Sequence, residues 1–174
     1  MTGSRSPRDL DVRVAASPED LAAHFRVRHD VFVAEQGVFT GTDRDHWDDS
    51  AIHVVASDGP IVVGAVRLYP LDEAGLWRGD RLAVLRHARG GRTGAPLVRF
   101  AVATAGRHGG HLMIARIQAP NVPFFLHLGW RTVGDPDEYR GLTHQDMCID
   151  LSGAPPAFSD EGYAWALGAG SPAA

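Results

Sequence analysis

The spacing of hydrophobic positions changes along the chain, and each change predicts an element of secondary structure. Residues 11–15 alternate between polar and apolar side chains, which is typical of a short strand. From Pro18 to about residue 34 the apolar positions recur with helical spacing, so a helix is predicted there. Ser17 provides a capping oxygen and Pro18 suits the first helical position, which supports a helix start at this point.

The rest of the pattern predicts strands that alternate with two further helices. A polar loop at 37–50 comes first. The predicted strands are 51–57, 61–70, 75–85, 111–118 and 142–151, the helices are 95–108 and the start of 121–130, and that last segment runs on into a strand. This order, β, α, β, β, β, α, β, α, β, β, predicts a mixed α/β domain with much antiparallel pairing. The domain is expected to span 11–152, followed by a tail at 153–174 rich in glycine, alanine and proline.

Two charged residues lie in the apolar stripe of the first predicted helix. Leu21, Phe25 and Phe32 share that stripe on a helical wheel, and Arg28 and Glu35 fall on it too. A charge on the core side of a helix needs a partner. Arg28 is therefore predicted to pair with a carboxylate. Glu35 either emerges into a cleft, pairs with Arg28, or follows the end of the helix.

Charge and composition exclude several classes of function. The net charge is −4, which argues against a general role in binding nucleic acid or anionic membranes. The longest apolar runs, such as 61–66, are too short to cross a bilayer, and residues 1–12 show no signal peptide. Cys148 is the single cysteine, so no intrachain disulfide is possible. A cytoplasmic protein is expected.

A glycine-rich loop between a predicted strand and helix is the first candidate for binding chemistry. Gly90, Gly91 and Gly94 lie in it, directly before the helix at 95–108. Glycines let backbone amides approach a ligand closely, and a helix start favours negative charge, so the arrangement suits a pyrophosphate. The dinucleotide and nucleoside-triphosphate loop motifs are both absent. A plain glycine-rich turn is the alternative.

Three blocks of residues, in order, resemble the GNAT superfamily of acetyl-CoA-dependent N-acetyltransferases. The first is the strand 81–84 with the loop residues Arg89, Gly90, Gly94 and Ala95, although Arg92 stands where the middle glycine is usual. The second holds Asn121, Phe124, Phe125, Leu128, Gly129 and Trp130. The third joins 31–33 and 35–37 with Asp45, Asp48, His53, Gly141 and His144, and resembles a subgroup often encoded near nitrilase genes.

The resemblance implies a GNAT-like acyl-CoA-binding fold, in which helices flank a central, mostly antiparallel sheet, with acetyl-CoA as the donor substrate. Backbone amides of Leu82, Ala83 and Val84 would hold the pantetheine arm and polarise the thioester carbonyl. Asn121 would contact the same arm beside Phe125. The residues that would surround the pyrophosphate are Arg89, Gly90, Gly91, Arg92, Thr93, Gly94 and Ala95.

The resemblance also places Glu35 at the acceptor cleft, where it would bind the incoming ammonium or take its proton. Phe125 occupies the position at which the family often has a tyrosine acid, and phenylalanine has no proton to donate. Tyr139, His144 and Cys148 are candidate replacements, with His144 first because imidazole exchanges protons near neutral pH. Alternatively the thiolate leaves without assistance.

Acidic residues are dense between 43 and 53, and three explanations are open. Asp45 and Asp48 are expected, with Glu35, to bind the substrate, because an acidic rim attracts a cation. A solvated loop or a set of loop-fixing hydrogen bonds is the alternative. The spacing does not match a calcium loop, and no metal is expected.

The predicted function is transfer of an acetyl group from acetyl-CoA to the primary amine of a small, cationic metabolite. A non-catalytic acyl-CoA-binding or regulatory module is the alternative, because the usual tyrosine and one loop glycine are missing. The expected partner is a small-molecule amine, with no nucleic acid and no membrane. Whether the chain forms a homodimer is left open.

Overall fold

The computed structural model describes residues 10–90 and 92–151. Gly91 and the tail predicted at 153–174 lie outside the described residues. The described chain folds into two compact units. The first contains 10–44, 52–66 and 82–100, and the second contains 45–51, 67–81 and 101–151.

Seven strands form the sheet in the order β1-β2-β3-β4-β5-β7-β6. Their bounds are β1 Leu10–Val14, β2 Ile52–Asp58, β3 Ile61–Pro70, β4 Leu76–Val84, β5 Leu112–Gln118, β6 Arg131–Tyr139 and β7 Leu142–Asp150. The sheet is mostly antiparallel, which confirms the predicted fold class and the predicted order of elements. The pair β4–β5 is parallel, with Leu76–Arg78 in register with Leu112–Ile114.

Three α-helices accompany the sheet: α1 Pro18–Arg28, α2 Gly94–Arg107 and α3 Val122–His127. The hydroxyl of Ser17 accepts a hydrogen bond from the amide of Asp20 at 3.0 Å, which confirms the predicted cap of α1. From His29 to Glu35 the helix continues with wider, π-helical turns, in which the amide of Gln36 bonds the carbonyl of Val31 at 2.9 Å.

The first unit buries the inner face of α1 and the π-helical segment. The α1 residues Ala23 and Val27 share one apolar cluster with Val31 and Phe32, and with Val55, Val62, Ala65 and Ala83 from β2, β3 and β4. Gly64 leaves room for α2 here, because a β-carbon at this position would lie 2.7 Å from Leu97 and 2.9 Å from Thr93. Packing against β3 therefore fixes the start of α2.

The second unit has its own apolar cluster, formed by Leu76, Leu112, Ile114 and Cys148. The cluster joins three strands, because Leu76 of β4 pairs with Leu112 of β5 and Ile114 of β5 pairs with Cys148 of β7. No described helix is both long and apolar enough to cross a membrane.

Candidate active site

The glycine-rich loop has the geometry of an anion-binding turn. The hydroxyl of Thr93 donates to the carbonyl of Ala88 at 3.1 Å and closes the loop just before α2. Gly90 has φ +107°, a conformation that favours glycine, and no described atom lies within 4 Å of the place a β-carbon would take. The first amides of α2 lack partners within the helix by necessity. The open space at Gly90, the amides at the start of α2 and the nearby arginines together suit a diphosphate group.

Strand β4 is irregular just before the residues expected to hold the donor. Arg81 has φ +53°, in the left-handed region that non-glycine residues rarely adopt, although it lies in mid-strand and is buried. Its guanidinium donates to the carboxylate of Asp45 at 3.2 Å. A residue in this conformation re-aims the strand that follows, as a β-bulge does. Leu82, Ala83 and Val84 are those next residues.

Glu35 and Arg89 form a two-point ion pair at the start of the loop. The two guanidinium nitrogens of Arg89 lie 2.6 and 2.9 Å from the carboxylate oxygens of Glu35, and its Nε donates to the carbonyl of Val84 at 2.9 Å. Arg86 lies 3.6 Å from the same carboxylate. The hydrogen bonds from Arg89 hold the pKa of Glu35 below its usual range. This carboxylate is therefore a weak base, and the Arg89 guanidinium is already engaged.

Arg28 is fully buried, and its predicted carboxylate partner is Asp43. Nε of Arg28 donates to Asp43 at 2.7 Å. Nδ1 of His24 lies 3.1 Å from the carbonyl of Val54, which only accepts, so this nitrogen carries the proton. Nε2 of His24 then accepts from Arg28 at 3.3 Å and from Nδ1 of His53 at 3.1 Å. His53 is thus part of a buried structural network.

Three of the four carboxylates at 43–49 are paired with arginine, whereas Asp49 is exposed. Arg67, fully buried, bonds Asp45 at 2.6 Å and Asp80 at 2.7 Å, and lies 3.0 Å from Asp48. Asp45 also caps the short 3₁₀ turn His46–Asp49. In the same capping box, the carboxylate of Asp48 accepts a hydrogen bond from the backbone amide of Asp45 at 3.0 Å. The loop-fixing hydrogen bonds left open by the sequence are therefore what the structure contains. The substrate-binding role of Asp45 and Asp48 is not tested by this geometry, but both carboxylates are committed to arginine.

The charge of Arg67 favours the ionised form of Asp45. Burial alone would raise the pKa of Asp45, but the hydrogen bond and charge of Arg67 outweigh it, and the pKa lies below its usual value. Tyr69 donates to Asp80 at 3.1 Å, and burial beside that carboxylate raises the pKa of the phenol. No cluster of potential metal ligands occurs among the described residues.

The remaining candidates lie in the second unit. Asn121 is exposed at the start of α3, whereas Phe125 is buried edge-on against Trp130. His144 is fully buried, with its ring 5.9 Å from that of Tyr139. The Tyr139 hydroxyl accepts from Nε of Arg140 at 3.0 Å. The structure thus brings His144 and Tyr139 together, as it does Glu35 and Arg89.

Sequence reasoning missed Arg67, Asp80 and Asp146. The first two interrupt apolar strands, which is a signal that buried charges need partners. Asp146 lies two positions after His144 in an alternating strand, so the period alone places both side chains on one face.

Comparison with known proteins defines the family. Residues 32–151 match the acetyltransferase (GNAT) domain family. The chain is 30% identical over 138 residues to the uncharacterized N-acetyltransferase YjcF of Bacillus subtilis (strain 168), covering 79% of this chain and 97% of that protein. The protein belongs to the GNAT acetyltransferase family and is an acyltransferase enzyme.

Solved structures of low sequence identity share the fold. Escherichia coli ElaA superimposes with a TM-score of 0.71 at 23% identity, over 80% of this chain and 99% of that one. The CoA-dependent acyl-homoserine lactone synthase BjaI has a TM-score of 0.68 at 22% identity, over 83% of each chain. Family membership supports acetyl-CoA as the donor substrate.

Proposed function

We propose that the protein transfers the acetyl group of acetyl-CoA to the primary amine of a small metabolite, by direct attack of the amine on the thioester. The observation that carries the donor half is the turn closed by Thr93 before α2, with its open Gly90. In this proposal the amides of Leu82–Val84 hold the pantetheine arm and the loop 89–95 holds the diphosphate.

The arginines of the loop have different roles in this proposal. The side chain of Arg86 is 81% exposed, so it is available to a phosphate. Arg92 is exposed as well. The guanidinium of Arg89 faces Glu35 and Val84 instead, so this residue contributes to the donor site mainly through its position in the turn.

Neither Phe125 nor Cys148 is placed to supply the acid that the family's tyrosine would provide. Phe125 packs against Trp130, and Cys148 is buried in an apolar cluster, where a thiol is inert. Departure of the thiolate without assistance is compatible with the low basicity of thiols. A cationic acceptor draws no support from the 43–49 segment, because most of its carboxylates are paired with arginine.

An amine panel with acetyl-CoA as donor tests the proposed function. Free thiol release is followed for amino acids, polyamines and other small amines, and product masses confirm acetylation. Thiol release with an acetylated product is the expected result. Coenzyme A binding without turnover across the panel would favour a non-catalytic module instead. Turnover only with longer acyl-CoA donors would indicate another acyl transfer, such as the acyl-homoserine lactone synthesis for which BjaI is named.

Glu35→Gln is expected to tighten coenzyme A binding several-fold at low ionic strength. The change removes a negative charge beside a loop that binds a diphosphate, and it releases the guanidinium of Arg89. The gain should shrink in high salt, because exposed charges are screened. Isothermal titration calorimetry with coenzyme A at two salt concentrations measures both effects. Glu19→Gln, which removes an acid from the start of the same helix, is the control.

Two other results would assign Glu35 a different role. Weaker coenzyme A binding in Glu35→Gln would show that the pair holds the loop in its binding conformation. Unchanged donor affinity with a loss in acceptor kcat/KM on the order of 10²-fold would support the acceptor role predicted from the sequence.

A further inference from the structure

His144 and Asp146 lie side by side on one face of β7. They are two positions apart in the strand, and Gln118 and Arg116 of β5 lie directly opposite them. Cys148 continues the same face into the apolar cluster of the second unit. The face therefore changes from apolar to polar toward the start of β7, where β7 also contacts the turn Ala119–Asn121.

Two buried acceptor atoms on this face lack a hydrogen-bond donor within the described residues. Nδ1 of His144 lies 2.8 Å from the carbonyl of Leu142 and must donate to it, so Nε2 of a neutral ring holds a lone pair. Within the described part of the chain, neither this Nε2 nor Oδ1 of Asp146 has a hydrogen-bond partner, and both atoms are buried. Nε of Arg116, directly opposite Asp146 on β5, is likewise buried without a partner among these described residues. A buried acceptor without a donor is costly, so a group that brings an N–H or O–H to both acceptor atoms at once would stabilise this face.

Strand β6 bends away beside this pair. Val133 pairs with Asp146 and Asp137 pairs with His144, so β6 uses two more residues than β7 over the same distance. The side-chain amide of Gln145 holds the bulge, because its Nε2 donates to the carbonyls of Val133 and Gly134 at 3.0 and 3.1 Å. Bulges of this kind often lie next to active sites, because they re-aim side chains and interrupt the ladder.

We infer that Nε2 of His144 and Oδ1 of Asp146 bind the acceptor as an ammonium group, and that His144 takes its proton. An ammonium is the small group that satisfies two acceptors at once while adding a positive charge beside a carboxylate. The turn Ala119–Asn121 lies against this strand, and Asn121 is the residue that the family resemblance places on the pantetheine arm. This inference rests on the proposed function and names its acceptor subsite.

The step balances as follows. Nε2 of His144 accepts one proton from the ammonium, and the freed lone pair forms the C–N bond at the thioester carbonyl. The C–S bond breaks with its electron pair on sulfur, and the nitrogen loses a second proton to the thiolate. The products are the amide and free coenzyme A, and the imidazolium returns its proton to water. His144 thus acts as a base, whereas the sequence suggested an acid.

The charges around the pair come from three strands. Burial raises the pKa of Asp146; the charges of Arg116, Arg78 and His144 counteract this effect, and Asp137 adds to it. Arg116 also pairs directly with Asp137. A bound ammonium favours the ionised carboxylate, so acceptor binding should strengthen as pH rises through the titration of Asp146. The ring of Tyr139 lies edge-to-face with that of His144 at 5.9 Å.

Three substitutions test the inference on the full chain, with an amine that the parent acetylates. His144→Gln and His144→Asn both remove the basic nitrogen, and asparagine can still donate to Leu142. Each is expected to lower kcat on the order of 10²-fold, to remove the rising limb of the pH profile, and to leave coenzyme A affinity unchanged. Asp146→Asn is expected to raise the acceptor KM on the order of tenfold. Asp150→Asn is the matched control, since this carboxylate lies on the same strand in an exposed pair with Arg131 at 3.4 Å.

The outcomes separate this inference from the proposed function. A parent enzyme that acetylates no amine overturns both. A parent that turns over, with folded His144 variants that keep kcat and the pH profile, overturns the inference alone and leaves the two atoms to buried water. If the His144 variants do not fold, Asp146→Asn decides, and an unchanged acceptor KM in that variant overturns the inference.

Discussion

Arg67→Met is expected to destabilise the folded protein by about 3–5 kcal/mol, because it leaves buried carboxylates without their cation. Arg67 is fully buried and bridges Asp45, Asp48 and Asp80 at 2.6 to 3.0 Å. Methionine has a similar length and no charge, so the loss reports the ion network rather than a cavity. Chemical denaturation at pH 7, followed by circular dichroism, measures the free energy of unfolding.

The pH dependence of this loss distinguishes charge from packing. The pKa of Asp45 is depressed in the folded parent, so its contribution to stability is present above its unfolded pKa and is lost as pH falls. In Arg67→Met the unpaired carboxylates favour protonation instead. The stability difference between parent and variant should therefore narrow as pH falls toward and below the unfolded pKa of aspartate, about 3.9.

Arg131→Met provides the matched control for Arg67. Its pair with Asp150 is exposed on both sides, so its removal should change the free energy of unfolding by less than about 0.5 kcal/mol. An equal loss in both variants, or a loss at position 67 that does not depend on pH, would show that Arg67 acts through packing alone.

Gly90→Val is expected to weaken coenzyme A binding on the order of 100-fold, because a side chain would occupy the space in front of the loop amides. The position is open and has φ +107°. A β-branched residue is strained in this conformation, so some loss of stability accompanies the change. Calorimetry on the folded variant separates the loss of donor affinity from the loss of stability.

Gly109→Val controls for that strain. Gly109 has φ +83° and is equally open, but it lies in the turn after α2, outside the donor loop. Both variants should melt at lower temperature, and Gly90→Val alone should lose coenzyme A. Normal coenzyme A affinity in the folded Gly90→Val variant would show that the diphosphate does not bind at this loop.

Local pattern was sufficient for the order of elements and for the position of the glycine loop. Alternation marked the strands, helical spacing marked α1 and α2, and Ser17 marked a helix start, because each depends on residues close together in sequence. The same reasoning required a carboxylate for Arg28, although it did not identify Asp43. The family followed from three short blocks in the correct order, and residues 32–151 match it.

The direction of Glu35 could not be predicted in this way. A helical wheel assumes one turn width, and the chain changes to wider turns at His29, so the phase drawn from Leu21 no longer holds at residue 35. Glu35 consequently meets Arg89, which is 54 positions away in sequence.

The sequence by itself determined the order of elements and the position of the glycine loop, because these follow from neighbours and from hydrophobic period. The tertiary structure decided which charges meet. Arg67 pairs with carboxylates from β4 and from the start of the 3₁₀ turn, and the register shift in β6 brings Asp137 opposite His144. Such contacts depend on sheet register and helix phase over long separations, where a shift of one residue exchanges every partner.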